Sequence, residues 1–200
     1  MTHKSVESFV RPGMMVRCSI MHPRKDSVRD PKKLLFSAET IAERIHRLGE
    51  SITQDYEGKN LIAVGIMKGS FIFLADLVRH IDLELTVDFV RVASYGAGTD
   101  PSGICRMTKD IETDIYGRDV LLVEDIADSG QTLSFLCRHF RDAGAASTAI
   151  CVLIDKLERR REKVPIDYRG FSVESGFLVG YGLDCAERFR NLPSIYTMEP

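Results

Sequence analysis

The sequence has no tryptophan, no C-x-x-C pair and no long apolar run. Its five cysteines are odd in number and widely separated, which favours neither a disulfide framework nor a zinc site: Cys18, Cys105, Cys137, Cys151 and Cys185. No stretch reaches the roughly 18 apolar residues of a membrane-spanning helix, and the N-terminus lacks the apolar core of a secretory signal. These features predict a cytoplasmic protein with reduced thiols and without a membrane partner.

An excess of basic residues is also missing, since the net charge is −2 and the pI is near 6.2. Nucleic-acid-binding domains usually carry a basic excess or stripe, so no nucleic-acid partner is expected. With 200 residues, 44% of them hydrophobic, the chain can bury one full core. Residues 1–33 mix prolines and charges without a sustained period and predict an N-terminal arm, mobile or lying on the body. Residues 34–200 form the predicted domain.

The segment 119–132, D-V-L-L-V-E-D-I-A-D-S-G-Q-T, is the most informative part of the chain. An apolar run from Val120 leads into Glu124 and Asp125, and Asp128 follows before a helical pattern begins. This order predicts a strand, a short acidic loop and the N-terminus of a helix. Open α/β sheets bind ligands at the carboxyl ends of their strands, and a helix start offers free backbone N–H groups to an anion. The segment therefore predicts a site for a phosphate with hydroxyls beside it.

The residue types in this segment suit that chemistry. Small or hydroxyl-bearing residues are needed where backbone amides close on a phosphate, and three follow the carboxylates: Ser129, Gly130 and Thr132. Glu124 and Asp125 can accept hydrogen bonds from sugar hydroxyls or face a magnesium shell. Asp128 is then free to act as a base. The alternative is that Asp128 is only the N-cap of the next helix and that the acidic pair is solvated.

Two strand patterns flank this segment. The apolar run Leu61–Ile66 predicts a buried parallel strand, and M-K-G-S after it predicts an anion-binding loop in which Ser70 caps a helix. An ordinary capped turn with a solvated lysine is the alternative. Residues 83–89 alternate and predict a half-buried strand that enters a glycine-rich loop, residues 94–103, which suits a lid or a plain hairpin connection.

Further patterns come before and after these units. Ser37 is a predicted N-cap for a helix whose apolar residues repeat at helical spacing: Ile41, Ile45, Leu48 and Ile52. Residues 148–154 predict another buried strand, which delivers Lys156 to the same end of the sheet. A solvated lysine is the alternative there, and the charge run 159–163, R-R-R-E-K, is interpreted as a solvated loop. Residues 177–184 predict a last strand and turn.

V-E-D-I-A-D-S-G-Q-T resembles the phosphoribosyl-pyrophosphate-binding motif of type I phosphoribosyltransferases. The chain around it, from about Leu34 to Thr197, resembles the hypoxanthine-guanine branch of that family. The resemblance implies an α/β fold with a mainly parallel sheet flanked by helices, a flexible flap and a small hood lobe built from the two chain ends. Gln131 departs from the family pattern, where a basic residue is common. Because phosphate binding rests mainly on backbone and hydroxyl groups, this difference puts little in doubt.

The resemblance also implies a reaction and its residues. The enzyme would transfer the phosphoribosyl group of 5-phospho-α-D-ribose 1-diphosphate to N9 of hypoxanthine or guanine in purine salvage, with Mg²⁺ as cofactor. Phosphoribosyl pyrophosphate would contact Glu124, Asp125, Asp128, Ser129, Gly130, Gln131 and Thr132, with Asp128 also catalytic. Pyrophosphate would contact Met67, Lys68, Gly69 and Arg190, and the Met67–Lys68 bond can be cis in the family. The purine would contact Lys156, Phe177, Leu178 and Asp184.

The remaining implied features are the metal ligands, the lid and the assembly. Glu124, Asp125 and Asp184 would face the magnesium ion. The flexible loop would begin with Ser94 and Tyr95. A homodimer or homotetramer is expected. Two alternative functions stay open: a xanthine-preferring transferase, and a nucleotide-sensing RNA-binding regulator on the same fold. The acidic balance and the set Asp128, Lys156, Phe177 and Asp184 favour the enzyme.

Overall fold

The computed structural model describes residues 33–95 and 104–198. The strands are β1 Lys33–Phe36, β2 Leu61–Ile66, β3 Thr86–Tyr95, β4 Ile104–Lys109, β5 Asp119–Ala127, β6 Ser147–Lys156, β7 Tyr168–Val173, β8 Phe177–Val179 and β9 Ile195–Met198. The helices are α1 Ala38–Asp55, α2 Phe71–Val78 and α3 Gln131–Asp142. The predicted arm, residues 1–33, lies outside the described residues except for Lys33, the first residue of β1.

A six-stranded sheet in the order β4-β3-β2-β5-β6-β7 forms the centre of the molecule. Its strands are parallel except for β4, which runs antiparallel to β3 at the edge. Every residue of β2 is buried, as its continuous apolar run predicts. One core cluster joins α1 and α2 to the sheet, and a second joins α3 to it. Helices therefore cover both faces, which confirms the predicted mainly parallel α/β fold.

Helix α1 begins as its sequence predicts. The side chain of Ser37 accepts a hydrogen bond from the backbone N–H of Thr40 at 3.3 Å, so it caps the helix. The residues that repeat at helical spacing are buried in the core: Ile41, Ile45, Leu48 and Ile52. Among the described residues, no helix is both long and apolar enough to span a membrane.

A second sheet of three antiparallel strands, β1-β9-β8, joins the two ends of the described domain. Phe36 of β1 stacks on Phe171 of β7 with ring centroids 4.0 Å apart, which fixes this sheet against the central one. The predicted small hood lobe built from the chain ends is confirmed.

Two local predictions are wrong. The strand predicted over residues 83–89 begins only at Thr86, and Leu83 and Leu85 pack on the core before strand pairing starts. Ser70 does not cap α2 with its side chain. Its hydroxyl is fully buried and donates back to the carbonyl of Ile66 at 2.7 Å, so it ties the loop after β2 to the end of that strand.

Candidate active site

The neighbouring strands β2, β5 and β6 end on the same side of the sheet, and most of the predicted site residues lie in or after these ends. Glu124 and Asp125 belong to β5 itself, rather than to an acidic loop after it. Asp125 packs against Gly69 so closely that a Cβ on that glycine would lie 1.7 Å from Oδ2 of the carboxylate. The Met67–Lys68 peptide is cis. The structure thus joins the predicted anion loop directly to Asp125 of the acidic pair.

The two adjacent carboxyl groups both have raised pKa values. Burial raises the pKa of Glu124 well above its usual range, and the neighbouring Asp125 adds to this effect. Burial raises the pKa of Asp125 to about 6, although backbone hydrogen bonds and Arg190 oppose the increase, while Asp184 adds to it. These acids are therefore held where their negative charge is unfavourable until a positive group or a hydroxyl ligand arrives.

The predicted pyrophosphate side contains two cations that are already paired with carboxylates. Lys68 Nζ lies 2.9 Å from Glu187 Oε1, and Arg190 Nη2 lies 2.7 Å from Asp184 Oδ1. Arg190 also donates to the carbonyl of Gly182 at 2.7 Å and reaches Glu187 at 3.4 Å. Sequence reasoning missed Glu187, because a single exposed acid in C-A-E-R follows no ligand pattern.

The loop after β5 carries the third predicted acid, Asp128. Gly130, with φ +82°, is the N-cap of α3, so Asp128 is not the cap of that helix. Asp128 Oδ1 is buried and has no hydrogen-bond partner among the described residues, and Oδ2 lies 4.0 Å from Lys156 Nζ. Such a buried, unpaired acceptor is costly and suggests an external donor. A cavity of about 560 Å³ opens here, lined by Asp128, Ser129, Gln131 and residues 158–161.

The predicted purine side has one buried cation and one open aromatic face. Lys156 is 6% exposed, and its Nζ lies 3.2 Å from Glu158 Oε2, so it is not a solvated lysine. Phe177 is 46% exposed, whereas Leu178 beside it on β8 is buried. A second cavity of about 360 Å³ lies between α3 and the start of β6, and it contains none of the predicted site residues.

The remaining predicted residues fall into two groups. Ser94 and Tyr95 end β3 and pair with Cys105 and Ile104 of β4, while the rest of the predicted lid, residues 96–103, lies outside the described residues. Of the three predicted magnesium ligands, Asp125 and Asp184 both lie near Arg190, and Glu124 is the chain neighbour of Asp125. Within the two described ranges, no three His, Cys, Asp or Glu side chains form a metal cage.

Comparisons with known proteins agree with this arrangement. Residues 33–186 match the phosphoribosyl transferase domain family. The chain is 45% identical to a hypoxanthine-guanine phosphoribosyltransferase of Bacillus subtilis over 86% of this chain and 95% of that protein. It is 49% identical to the Streptococcus pneumoniae protein of the same name, over 83% of this chain and 92% of that protein.

Solved structures show the same relationship. A hypoxanthine phosphoribosyltransferase from Staphylococcus aureus superposes with a TM-score of 0.82 at 40% identity, covering 86% of this chain and 93% of that chain. A hypoxanthine-guanine phosphoribosyltransferase from Bacillus anthracis gives 0.81 at 42% identity, over 85% and 100%. These relatives favour neither the xanthine-preferring transferase nor the RNA-binding regulator. The chain therefore belongs to the type I phosphoribosyltransferase family, and the predicted resemblance to its hypoxanthine-guanine branch is confirmed.

Proposed function

We propose that this protein transfers the phosphoribosyl group of 5-phospho-α-D-ribose 1-diphosphate to N9 of hypoxanthine or guanine, giving IMP or GMP and pyrophosphate in purine salvage. One observation carries the proposal. Asp128, whose buried Oδ1 has no partner within the described part of the chain, lies between the loop that starts α3 and the buried ammonium of Lys156. An anion site, a carboxylate base and a donor for the exocyclic 6-oxo group of the purine thus occur together, as this reaction requires.

The phosphate would lie on the loop that starts α3. Gly130 takes a left-handed conformation there, and the side chain of Ser129 accepts from the N–H of Gln131 at 3.3 Å, which shapes a tight turn around the helix start. The first N–H groups of a helix have no partner within the helix, so they can bind phosphate oxygens. Thr132 adds a hydroxyl within the first turn. The neighbouring Glu124 and Asp125 would accept hydrogen bonds from the ribose hydroxyls.

Asp128 would receive or hold the proton at purine N7 as the base bonds to the sugar. Its free carboxylate oxygen is a ready acceptor for that N–H, and its charge would also stabilise the positive charge that develops on the sugar ring. Lys68 and Arg190 would bind the departing pyrophosphate, since both are cations that reach the same side of the sheet.

The purine would lie against Phe177, whose exposed ring offers a flat face for stacking. Lys156 can only donate hydrogen bonds, so it suits the 6-oxo group of hypoxanthine or guanine and opposes the 6-amino group of adenine. The backbone at Leu178 and Asp184 would bind the other edge of the base. A 2-amino group fits carbonyl acceptors there, whereas the 2-oxo group of xanthine would face them as a second acceptor.

The donor set fits a magnesium ion. Mg²⁺ prefers oxygen ligands and usually binds through one or two carboxylates together with substrate phosphates. Asp125 and Asp184 supply such oxygens near the proposed pyrophosphate site, with Glu124 beside them. When bound, Mg²⁺ neutralises charge on the pyrophosphate leaving group. We further propose a cytoplasmic location, a homodimer or homotetramer, and a lid at residues 94–103 that begins with Ser94 and Tyr95.

A turnover assay with four purine bases tests the proposed function. With phosphoribosyl pyrophosphate and Mg²⁺ present, hypoxanthine and guanine should react well, xanthine less well and adenine very poorly. Asp128→Asn should lower turnover by roughly a hundredfold to ten-thousandfold while changing binding of phosphoribosyl pyrophosphate much less. Turnover within a factor of about three of the parent would remove Asp128 from the mechanism.

Lys156→Ala tests base recognition separately. The variant should use hypoxanthine and guanine less well and discriminate less strongly against adenine, because the donor for the 6-oxo group is lost. An unchanged ratio of hypoxanthine to adenine turnover would contradict this role, and a parent enzyme that prefers xanthine would contradict the proposed substrates.

A further inference from the structure

Arg160 lies inside the charge run 159–163, which the sequence pattern interprets as a solvated loop, but its side chain is only 16% exposed. Its guanidinium group contacts two strand ends at once. On the β5 side, Nε donates to the carbonyl of Asp128 at 3.1 Å and Nη2 donates to that of Ala127 at 3.0 Å. On the β6 side, Nη2 reaches the carbonyl of Lys156 at 3.3 Å and forms an ion pair with Asp155.

The ion pair fixes the guanidinium in place. Asp155 is 3% exposed, and its second oxygen, Oδ2, lies 2.7 Å from Nε of Arg169 on β7. A buried carboxylate held by two arginines has little freedom to move, so Asp155 fixes the position of the Arg160 guanidinium. Arginine suits this position because its planar fork can donate to several acceptors in fixed directions, which a lysine ammonium cannot do.

The backbone after Arg160 holds the same loop. The N–H groups of Arg161 and Glu162 both donate to the carbonyl of Ser129, at 2.9 and 3.0 Å. The carbonyl of Glu162 approaches Gly130 so closely that a Cβ there would lie 2.5 Å away. Residues 160–162 therefore hold the loop before α3, residues 128–130, in place. The side chain of Arg160 also binds the end of β6.

We propose that Arg160 is a positioning residue that sets the distance between Asp128 and Lys156. The inference rests on the proposed function, in which Asp128 holds the proton of the purine and Lys156 binds its 6-oxo group. These two side chains must contact opposite parts of one rigid purine, so their separation determines whether both contacts form together. Arg160 contacts the carbonyls of both residues, and neither its charge nor its donors need to touch the substrate.

The proposal predicts a specific kinetic pattern for Arg160→Lys. Misplacement of a catalytic group by about 1 Å can cost roughly a hundredfold in rate, so kcat with hypoxanthine should fall tenfold or more. The KM for phosphoribosyl pyrophosphate should change by less than about threefold, because the backbone contacts from residues 161 and 162 remain. The ratio of hypoxanthine to adenine turnover should also fall, since Lys156 loses its support.

The experiment compares Arg160→Lys with Arg160→Gln, Asp128→Asn, the double variant Arg160→Lys with Asp128→Asn, and a control. Arg47→Lys is the matched control, because Arg47 is exposed on α1 and pairs there with Glu43. Each protein is assayed with hypoxanthine and adenine, and its thermal midpoint is measured. If Arg160 acts through Asp128, the double variant should have hypoxanthine turnover within about threefold of Asp128→Asn alone.

Several results would overturn the role proposed for Arg160. Turnover of Arg160→Lys within about twofold of Arg47→Lys would overturn the proposal, as would a double variant whose losses multiply fully. Unfolding of both Arg160 variants at the assay temperature would assign the residue a purely structural role and would also overturn it. A fully active Asp128→Asn would remove Asp128 from the mechanism and would overturn the Arg160 proposal with it. If the parent transfers no phosphoribosyl group, the proposed function itself fails. That failure is visible without any Arg160 variant.

Discussion

Replacing Asp125 by asparagine is expected to stabilise the ligand-free protein while impairing catalysis. Burial raises the pKa of this acid from an ordinary value of 3.8 to about 6, so the folded protein holds its charge unfavourably at neutral pH. A pKa difference of this size corresponds to about 3 kcal/mol. Partial exposure of Asp125, and the backbone hydrogen bonds that asparagine would weaken, reduce the expected gain to about 1 to 2 kcal/mol.

The pH dependence has a definite sign. Because the pKa is raised on folding, the contribution of Asp125 to stability is fully present below its unfolded pKa of about 4 and is lost as pH rises through about 6. The parent should therefore lose stability over this window, whereas Asp125→Asn should not. Urea unfolding at about pH 5 and about pH 7.5, without nucleotides or Mg²⁺, should show a larger advantage for the variant at the higher pH.

Asp88→Asn provides a control of opposite sign. Burial alone would raise the pKa of Asp88, but hydrogen bonds from the backbone N–H groups of Phe89, Thr113 and Glu112 lower it to about 2. Its stabilisation is present above about pH 4 and is lost as pH falls towards 2, so the variant should be less stable by about 2 kcal/mol at both assay pH values. A loss of stability in Asp125→Asn at pH 7.5, or a gain of equal size at both pH values, would refute the reasoning.

Three further predictions concern the phosphate side and the lid. Gly69→Ala should lower kcat/KM at least tenfold, because the new Cβ would collide with the carboxylate of Asp125. Gly58→Ala, where a Cβ would meet none of the described residues but the backbone is left-handed at φ +74°, controls for a loss of stability without a collision at the site. Glu187→Gln should strengthen inhibition by pyrophosphate by about twofold to fivefold, because it frees Lys68, and an unchanged inhibition constant would contradict this. Amide hydrogen exchange across residues 94–103 should slow when a transition-state analogue, pyrophosphate and Mg²⁺ bind, and equal exchange would argue against a lid.

Much of the fold follows from local patterns in the sequence. The apolar run Leu61–Ile66 predicts a strand buried on both faces, and Ser37 predicts the start of α1, because burial and capping leave signatures at fixed spacing. The alternation of apolar and polar residues predicts the start of β3 wrongly. Leu83 and Leu85 are half-buried in step with the strand that follows, so the pattern begins before the hydrogen bonds of β3 do.

The candidate site depends on contacts that local patterns do not carry. The sequence R-R-R-E-K does not distinguish its three arginines from one another. Among the contacts of the described residues, however, only Arg160 of these three forms an ion pair with Asp155. This ion pair forms because the segment after β6 packs against the loop after β5. Glu187 follows the same rule, since its partner Lys68 lies 119 positions earlier in the chain. Long-range pairing of this kind becomes visible only in three dimensions.

The small sheet has a consequence for how the enzyme is made. Phe177 and Leu178 lie on β8, which pairs with β9, and β9 pairs in turn with β1. A chain leaving the ribosome has all six strands of the central sheet once Val173 has emerged, but it completes the small sheet only after Met198. The loops that carry Gly69 and Ser129 can therefore be in place on a nascent chain before the aromatic face for the base has its partner strand. A ribosome stalled between these two points would carry a protein with the sugar-phosphate loops and Lys156 in place but without the small sheet that supports the stacking face for the purine.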